Sequence, residues 1–317
     1  NEEGTLAKAL VKGACEPAAN YQGTGKPLVR QLVEIVGIED GRIMVDAPLH
    51  WTLKPEWQAD LVPVDMLEGV GIEHIRFRTH WDGYFTHHRT VEDDNGWDHV
   101  GLYWVQHSWA RELVHENATT AVGMVNSKNC TVTDCAVVGN RGHNGFCICE
   151  TSTSNLHRRL DCGRAMHAIN MAGTICGNVI LDCQMDEPAG FDLHGGVGLD
   201  NLVDCLSGGV SAGGGSGSAV PPRHSHGLVL WNWSMGQYHP YKPWLRRRRM
   251  ARWTETPGFI AVGVHGRDGH EVLYIGPDGE ACDDVREPWG WVESLNQAVY
   301  PRSLYEWQRN GASGIPA

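Results

Sequence analysis

Short stretches in which apolar and variable residues alternate recur through the middle of the chain. Ala121-Val122-Gly123-Met124-Val125, Gly145-Phe146-Cys147-Ile148-Cys149, Ala168-Ile169-Asn170-Met171-Ala172, Gly190-Phe191-Asp192-Leu193-His194 and Gly227-Leu228-Val229-Leu230-Trp231 share one pattern. Each runs small, apolar, variable, apolar, variable, and His99-Val100-Gly101-Leu102-Tyr103 fits as an earlier member. Alternation with period two marks a strand with one buried face. The members start at residues 99, 121, 145, 168, 190 and 227, so the repeat is about 22–24 residues until the last interval. A second strand follows within the repeat: Thr131-Val132-Thr133-Asp134-Cys135, Arg159-Leu160-Asp161-Cys162, Val179-Ile180-Leu181-Asp182-Cys183 and Leu202-Val203-Asp204-Cys205. An Asn stands before each, at Asn129, Asn155, Asn178 and Asn201. Stacked repeats place equivalent residues about 4.8 Å apart. The Asp-Cys pairs are therefore expected to form two ladders up one corner, the aspartates binding turn backbone.

Such a repeat buries its apolar face only against its neighbours, so several are needed and the ends must be covered. The pattern predicts an all-β chain, a right-handed parallel β-helix (solenoid) with long loop insertions and an irregular C-terminal tail. Residues 1–64 are expected to form an N-terminal cap with lead-in strands. There Leu32 to Ile38 and Arg42 to Val45 flank a hairpin-like turn at Glu39-Asp40-Gly41. Ile72 to Phe77 reads as the first rung of a helical core spanning 65–265, and 266–317 as a C-terminal capping segment. Two insertions break the period, at 207–222, which is rich in Gly and Ser, and at 238–256, which carries Trp244, Arg246 to Arg249, Arg252 and Trp253. The first has neither the lysine nor the following helix of a phosphate-cradling loop.

The rungs, the Asn and Cys ladders and the segment from Val33 to Leu49 together resemble the pectin-lyase-like superfamily of right-handed parallel β-helices. The resemblance covers about residues 30–265 and is architectural. It implies a carbohydrate-active protein, since that superfamily is mostly polysaccharide lyases, glycoside hydrolases, carbohydrate esterases and phage tailspikes. The Asn-Thr-Asp, Asp-Asp and Gly-His-Gly series of the polygalacturonases and the calcium site of the pectate lyases are not recognisable here, and fold alone does not fix activity.

Net charge is -12, which argues against nucleic acid as the partner. No apolar run approaches the roughly 18–20 residues of a membrane span. Of the ten cysteines none sits in a CxxC pair, and buried thiols acting as small apolar residues are expected, apart from a bridge between Cys15 and Cys282 in an oxidising compartment. Lys128 is the one lysine between Asp65 and Ser234, so a lysine base is poorly supplied.

Positions three and five of each rung should face outward. They read Gly101, Gly123, Cys147, Asn170, Asp192, Val229 and Tyr103, Val125, Cys149, Ala172, His194, Trp231. The turn before each rung adds polar groups: Arg141, His143 and Asn144; Arg164 and His167; Asp186 and Glu187; Arg223, His224 and His226. Stacking would gather these into a patch about 10–15 Å across. The candidate catalytic residues are His194, Asp192, His167, Asn170, Arg164 and His143. The candidate substrate-binding residues are His226, Arg223, His224, Tyr103, Trp231, Trp244, Arg247 and Trp253. Tryptophan stacks on sugar faces and the arginine fork grips carboxylates.

This chemistry points to a polysaccharide lyase acting by β-elimination on an extracellular, acidic, uronic-acid-containing polymer. Asn170 or an arginine would neutralise the carboxylate, His194 or His167 would take the proton, and Tyr103 or another histidine would protonate the leaving oxygen. A secreted or periplasmic address goes with such a substrate. A glycoside hydrolase using Asp192 with a second carboxylate, at about 5–5.5 or 6.5–9.5 Å, is the alternative. A non-catalytic polysaccharide-binding module is another. A divalent metal is a possible cofactor, with Asp192 and His194 as candidate ligands beside His167 and His226.

Overall fold

A computed structural model describes residues 5–12, 29–81, 85–213, 222–237, 256–275, 281–282 and 290–311. The chain is mostly β, with long parallel sheets, none of them closed. The first sheet stacks Asp98–Tyr103, Thr120–Val125, Asn144–Cys149, His167–Met171, Gly190–Leu193 and Val210–Gly213 in that order. The second runs from Gly71–Glu73 through Trp109–Arg111, Thr131–Thr133, Leu156–Arg158, Val179–Leu181, Leu202–Asp204, Val229–Trp231 and Phe259–Val262 to Gly290–Glu293. A third pairs Arg76–Arg78, Val114–Glu116 and Ala136–Val138. From residue 98 onward the chain visits the sheets in turn and comes back beside its previous strand, parallel to it each time.

Period-two alternation sets which side chains go inside. Val100, Val122, Phe146, Ile169 and Phe191 stack in register, and all are buried. In the second sheet the inward row is Ile72, Ala110, Val132, His157, Ile180, Val203, Leu230, Ala261 and Val292. A histidine thus lies inside an aliphatic ladder. Beside this row runs a buried amide ladder. Asn178 Oδ1 accepts from Asn155 N and Nδ2, both at 3.0 Å, and Asn201 Oδ1 accepts from Asn178 N and Nδ2, both at 2.9 Å. A buried polar atom left unpaired costs about 1–3 kcal/mol, so each amide here must satisfy its neighbours.

The corners depend on the left-handed backbone region. His74, Glu112, Asp134, Arg159, Asp182, Cys205, Asn232, Gly263 and Ser294 follow the second sheet one above the other, with φ between 49 and 70. Asn, Asp and Gly tolerate this region best, which accounts for much of the polar punctuation between strands.

Several expectations are corrected. Gly227 to Trp231 is not a rung of the first sheet: Val229–Trp231 pairs with Leu202–Asp204 in the second. The sixth rung is Val210–Gly213, so the supposed insertion at 207–222 begins as a strand. The Asp-Cys pairs do not form two ladders. Asp134, Arg159, Asp182 and Cys205 share one line, while Cys135 stacks with Leu160, Cys183 and Leu206. The pairs recur in sequence because a turn recurs, but their offset from the corner differs by one or two residues. Asn129 likewise stands one residue off the amide ladder, where Cys130 takes the equivalent place and its N–H donates to Asn155 Oδ1 at 2.9 Å.

The hairpin forms as expected, with Ile35–Glu39 antiparallel to Arg42–Val45. The C-terminal segment adds the last strand of the second sheet and then lies along it. Ser303 Oγ and Tyr305 N donate to the buried Asp204 at 2.7 and 2.8 Å, and Asn232 Nδ2 donates to the carbonyls of Val299 and Arg302, both at 2.8 Å. Of the eight cysteines with described thiols all are free and six are buried, whereas a Cys15–Cys282 bridge lies outside the described residues. Burial pushes the Cys135 thiol up to about 11 and Cys183 up to about 12, so they are inert apolar groups at neutral pH. No helix among the described residues is long and apolar enough to cross a membrane.

Candidate functional site

Residues 79–97, between a strand of the third sheet and the first strand of the first, are longer than the equivalent connections in later repeats. They end in the short helix Val91–Asn95, where Thr90 Oγ1 accepts from Asp93 N at 3.2 Å. Ahead of that helix the chain carries Phe85, His87 and His88 onto the outward face of the first sheet, so the middle of that face is covered. Phe85 stacks on His143, and His87 packs against both His143 and His167.

Below this cover the rungs bring five predicted residues together. Asp192 is fully buried. Its Oδ2 accepts from His167 Nδ1 at 2.8 Å and from His194 Nδ1 at 2.7 Å. His143 Nδ1 donates to the Asp94 carbonyl at 3.1 Å, and its ring centroid lies 5.1 Å from that of His167. Asn170 pairs in register with Asp192 and donates from Nδ2 to Asn144 Oδ1 at 3.2 Å. The side-chain exposures of His167 and His194 are 1% and 34%, so the two imidazoles on one carboxylate differ sharply in access to solvent.

The electrostatics follow from this packing. Burial pushes the Asp192 carboxyl up, but the hydrogen bonds and charges of His167 and His194 outweigh it and hold the group below the usual carboxylate range. An ionised carboxylate can only accept, so both Nδ1 atoms carry hydrogen, and a ring without a second proton has its lone pair at Nε2. Burial lowers His143, partly countered by the Asp94 carbonyl. His87 is brought down to about 4 by burial and then by repulsion from His88, His143 and His167.

The other predicted residues lie elsewhere. Arg164 is exposed in the turn leading to His167, and its carbonyl accepts from Arg141 Nε at 3.1 Å. Tyr103 is exposed on the first rung, four strand steps or about 19 Å from His194. It cannot donate a proton at His194. Arg223, His224 and His226 do not precede a rung of the first sheet but lie at the corner that follows it. There His224 Nε2 accepts from Asn201 Nδ2 at 2.8 Å and His226 Nε2 is 3.3 Å from Asp200 Oδ1. Trp231 belongs to the second sheet and its Nε1 donates to the Pro301 carbonyl at 2.9 Å. His226 also tilts against Trp51, in a cleft lined by Trp57, His50 and Lys54. Lys128 is buried and bonded to Asp46, so it is no base. Trp244, Arg247 and Trp253 lie outside the described residues.

Sequence reasoning missed His87, His88 and Asp94. The signals were there: Thr90-Val91-Glu92-Asp93 puts an N-cap threonine before three acidic or apolar first-turn residues, which predicts a helix start just after an adjacent His pair.

Residues 164–314 match the model of a family described as a domain of unknown function (DUF4955). The match includes His167, Asp192 and His194 and begins after His143. No curated protein and no solved structure matches the chain.

Proposed function

We propose that the chain is a right-handed parallel β-helix of the pectin-lyase-like kind, and that it is a secreted or periplasmic enzyme cleaving an acidic, uronic-acid-containing polysaccharide by β-elimination. Three parallel sheets entered in turn, with left-handed corners stacked along them, support the β-helix, and parallel crossovers are nearly always right-handed. The observation that carries the reaction is the buried Asp192 holding two imidazoles by Nδ1.

In this reading His194 is the catalytic base. Its Nε2 takes the proton from C5 of the uronate, and electrons of that C–H bond form the C4–C5 double bond as the C4–O bond breaks. The proton then passes from the same Nε2 to the departing oxygen, so the ring ends as it began. Asp192 steadies the imidazolium between the two transfers. Asn170, in register with Asp192, would neutralise the uronate carboxylate, with Arg164 on the turn before His167 as the second candidate. A hydrolase built on Asp192 is less well supported, because a carboxylate with no exposure and two rings on Oδ2 cannot approach an anomeric carbon.

The reading is tested by offering the protein a panel of acidic and neutral polysaccharides. Products with the ultraviolet absorbance of an unsaturated uronate are expected, and they should vanish in His194→Ala. New reducing ends without that absorbance would favour the hydrolase. Binding without turnover would favour a non-catalytic module, a reading the Trp51–Trp57 cleft supports, since its rings stack 6.1 Å apart beside Lys54.

A further inference from the structure

We propose that His87, His143 and His167 bind one divalent transition-metal ion of the zinc type, with Asp94 and Asp192 orienting two of the rings from behind. One donor atom from each of the three imidazoles lies within 4.8 Å of the other two. Tetrahedral donors around zinc stand about 3.4 Å apart, given Zn–N of about 2.0–2.1 Å. Small rotations of the rings would therefore close the site.

The outer contacts argue for ligation. His143 Nδ1 donates to the Asp94 carbonyl and His167 Nδ1 to the Asp192 carboxylate, which leaves Nε2 of both rings as lone-pair donors. Metal-bound histidines are held in this way, the far nitrogen bonded to a carbonyl or carboxylate that sets the tautomer. A second observation points to a cation. Asp192 is fully buried, and its Oδ1 has no hydrogen-bond partner among the described residues. A buried carboxylate bonded to His167, one of the three imidazoles, is stabilised by positive charge on the far side of that ring.

The donor set decides the ion. Three imidazole nitrogens suit zinc, cobalt, nickel or copper, whereas calcium and magnesium require oxygen. The neighbouring set of His167, Asp192 and His194 also gathers three donors. There, however, Oδ2 and the two Nδ1 atoms already bond one another at 2.7 and 2.8 Å, and a metal would have to displace both bonds. Three protein ligands leave a fourth position open. On the elimination reading that position would take the uronate carboxylate, but the metal site itself does not rest on that reading.

The test uses the full chain, stripped with a chelator and titrated with Zn²⁺ by calorimetry and with Co²⁺ by visible absorption. One ion per chain is expected, with the intense visible band of tetrahedral Co²⁺. Asp192→Asn should weaken Zn²⁺ binding roughly 10–100-fold, the usual effect of losing an outer hydrogen-bond partner, and His87→Ala should weaken it more. His74→Ala, at an exposed corner, should leave it unchanged. His87 lies on the covering segment rather than in a strand, and circular dichroism verifies that its variant is folded. Absence of stoichiometric binding in the unaltered chain, or equal affinity in folded His87→Ala, would overturn the proposal. The titration reads binding without turnover, so its failure is distinct from failure of the lyase reading.

Discussion

On the proposed lyase reading, Asp192→Asn lowers kcat on a uronate polymer by about 10³–10⁴-fold with little change in KM. The amide keeps the shape of the side chain and can still accept through its oxygen. What it loses is the negative charge that stabilises His194 once the ring has taken a proton. It also turns one buried oxygen into an NH₂ group, which competes for the ring nitrogen and favours the wrong tautomer. Because Asp192 is sealed from solvent and works through the imidazole, substrate affinity should hardly move. Steady-state kinetics on the folded variant decide the matter, and unchanged kcat would remove Asp192 from the mechanism.

Acid should unfold the protein at a pH where its carboxylates are still charged. Burial brings His115, His157 and His224 down to about 3, with nearby imidazoles adding to the shift at His115 and His224. His157 sits between Val132 and Ile180 in the inward row, and neither of its ring nitrogens has a hydrogen-bond partner among the described residues. These groups are neutral in the folded chain and ordinary, near 6.5, in the unfolded one. Their stabilisation is therefore complete above about pH 6.5 and is lost as pH falls toward about 3, because the unfolded state binds the protons. At pH 5 the loss is about 2 kcal/mol for each imidazole, or roughly 6 kcal/mol for the three. That is comparable to the whole stability of many domains, about 5–15 kcal/mol. Urea unfolding between pH 8 and pH 5 should show a steep fall in midpoint, and His157→Leu should flatten it by about one proton. A midpoint independent of pH across that window would contradict the burial of these rings.

The strands were legible because a strand writes its buried face directly into the chain. Phe146, Ile169 and Phe191 fell in register on that basis alone, and with them Asp192 and His194 came to one face. The same alternation cannot say which sheet a strand joins. Gly227 to Trp231 has a clear apolar rhythm but completes the second sheet, while the true sixth rung, Val210–Gly213, is made of small residues in a glycine-rich run and carries little signal. That one misplacement moved Arg223, His224, His226 and Trp231 to the wrong surface.

Corner residues misled for a different reason. Asp134 and Asp182 occupy the left-handed corner position, but Asp161 and Asp204 do not, because a turn tolerates Asp at more than one place. His87 escaped notice since the segment that carries it has no period and reaches the site from a preceding repeat. Contacts of that kind depend on how a connection drapes over a finished surface, which local pattern does not encode.

The most direct test of the central claim, that one buried carboxylate holds two imidazoles by the same nitrogen, is heteronuclear long-range correlation spectroscopy of the histidine side chains in metal-free protein at neutral pH. His167 and His194, assigned by single substitution, should both carry hydrogen at Nδ1, and both signals should shift in Asp192→Asn. Finding either ring with hydrogen at Nε2 alone, or both signals unmoved by that substitution, would contradict the arrangement.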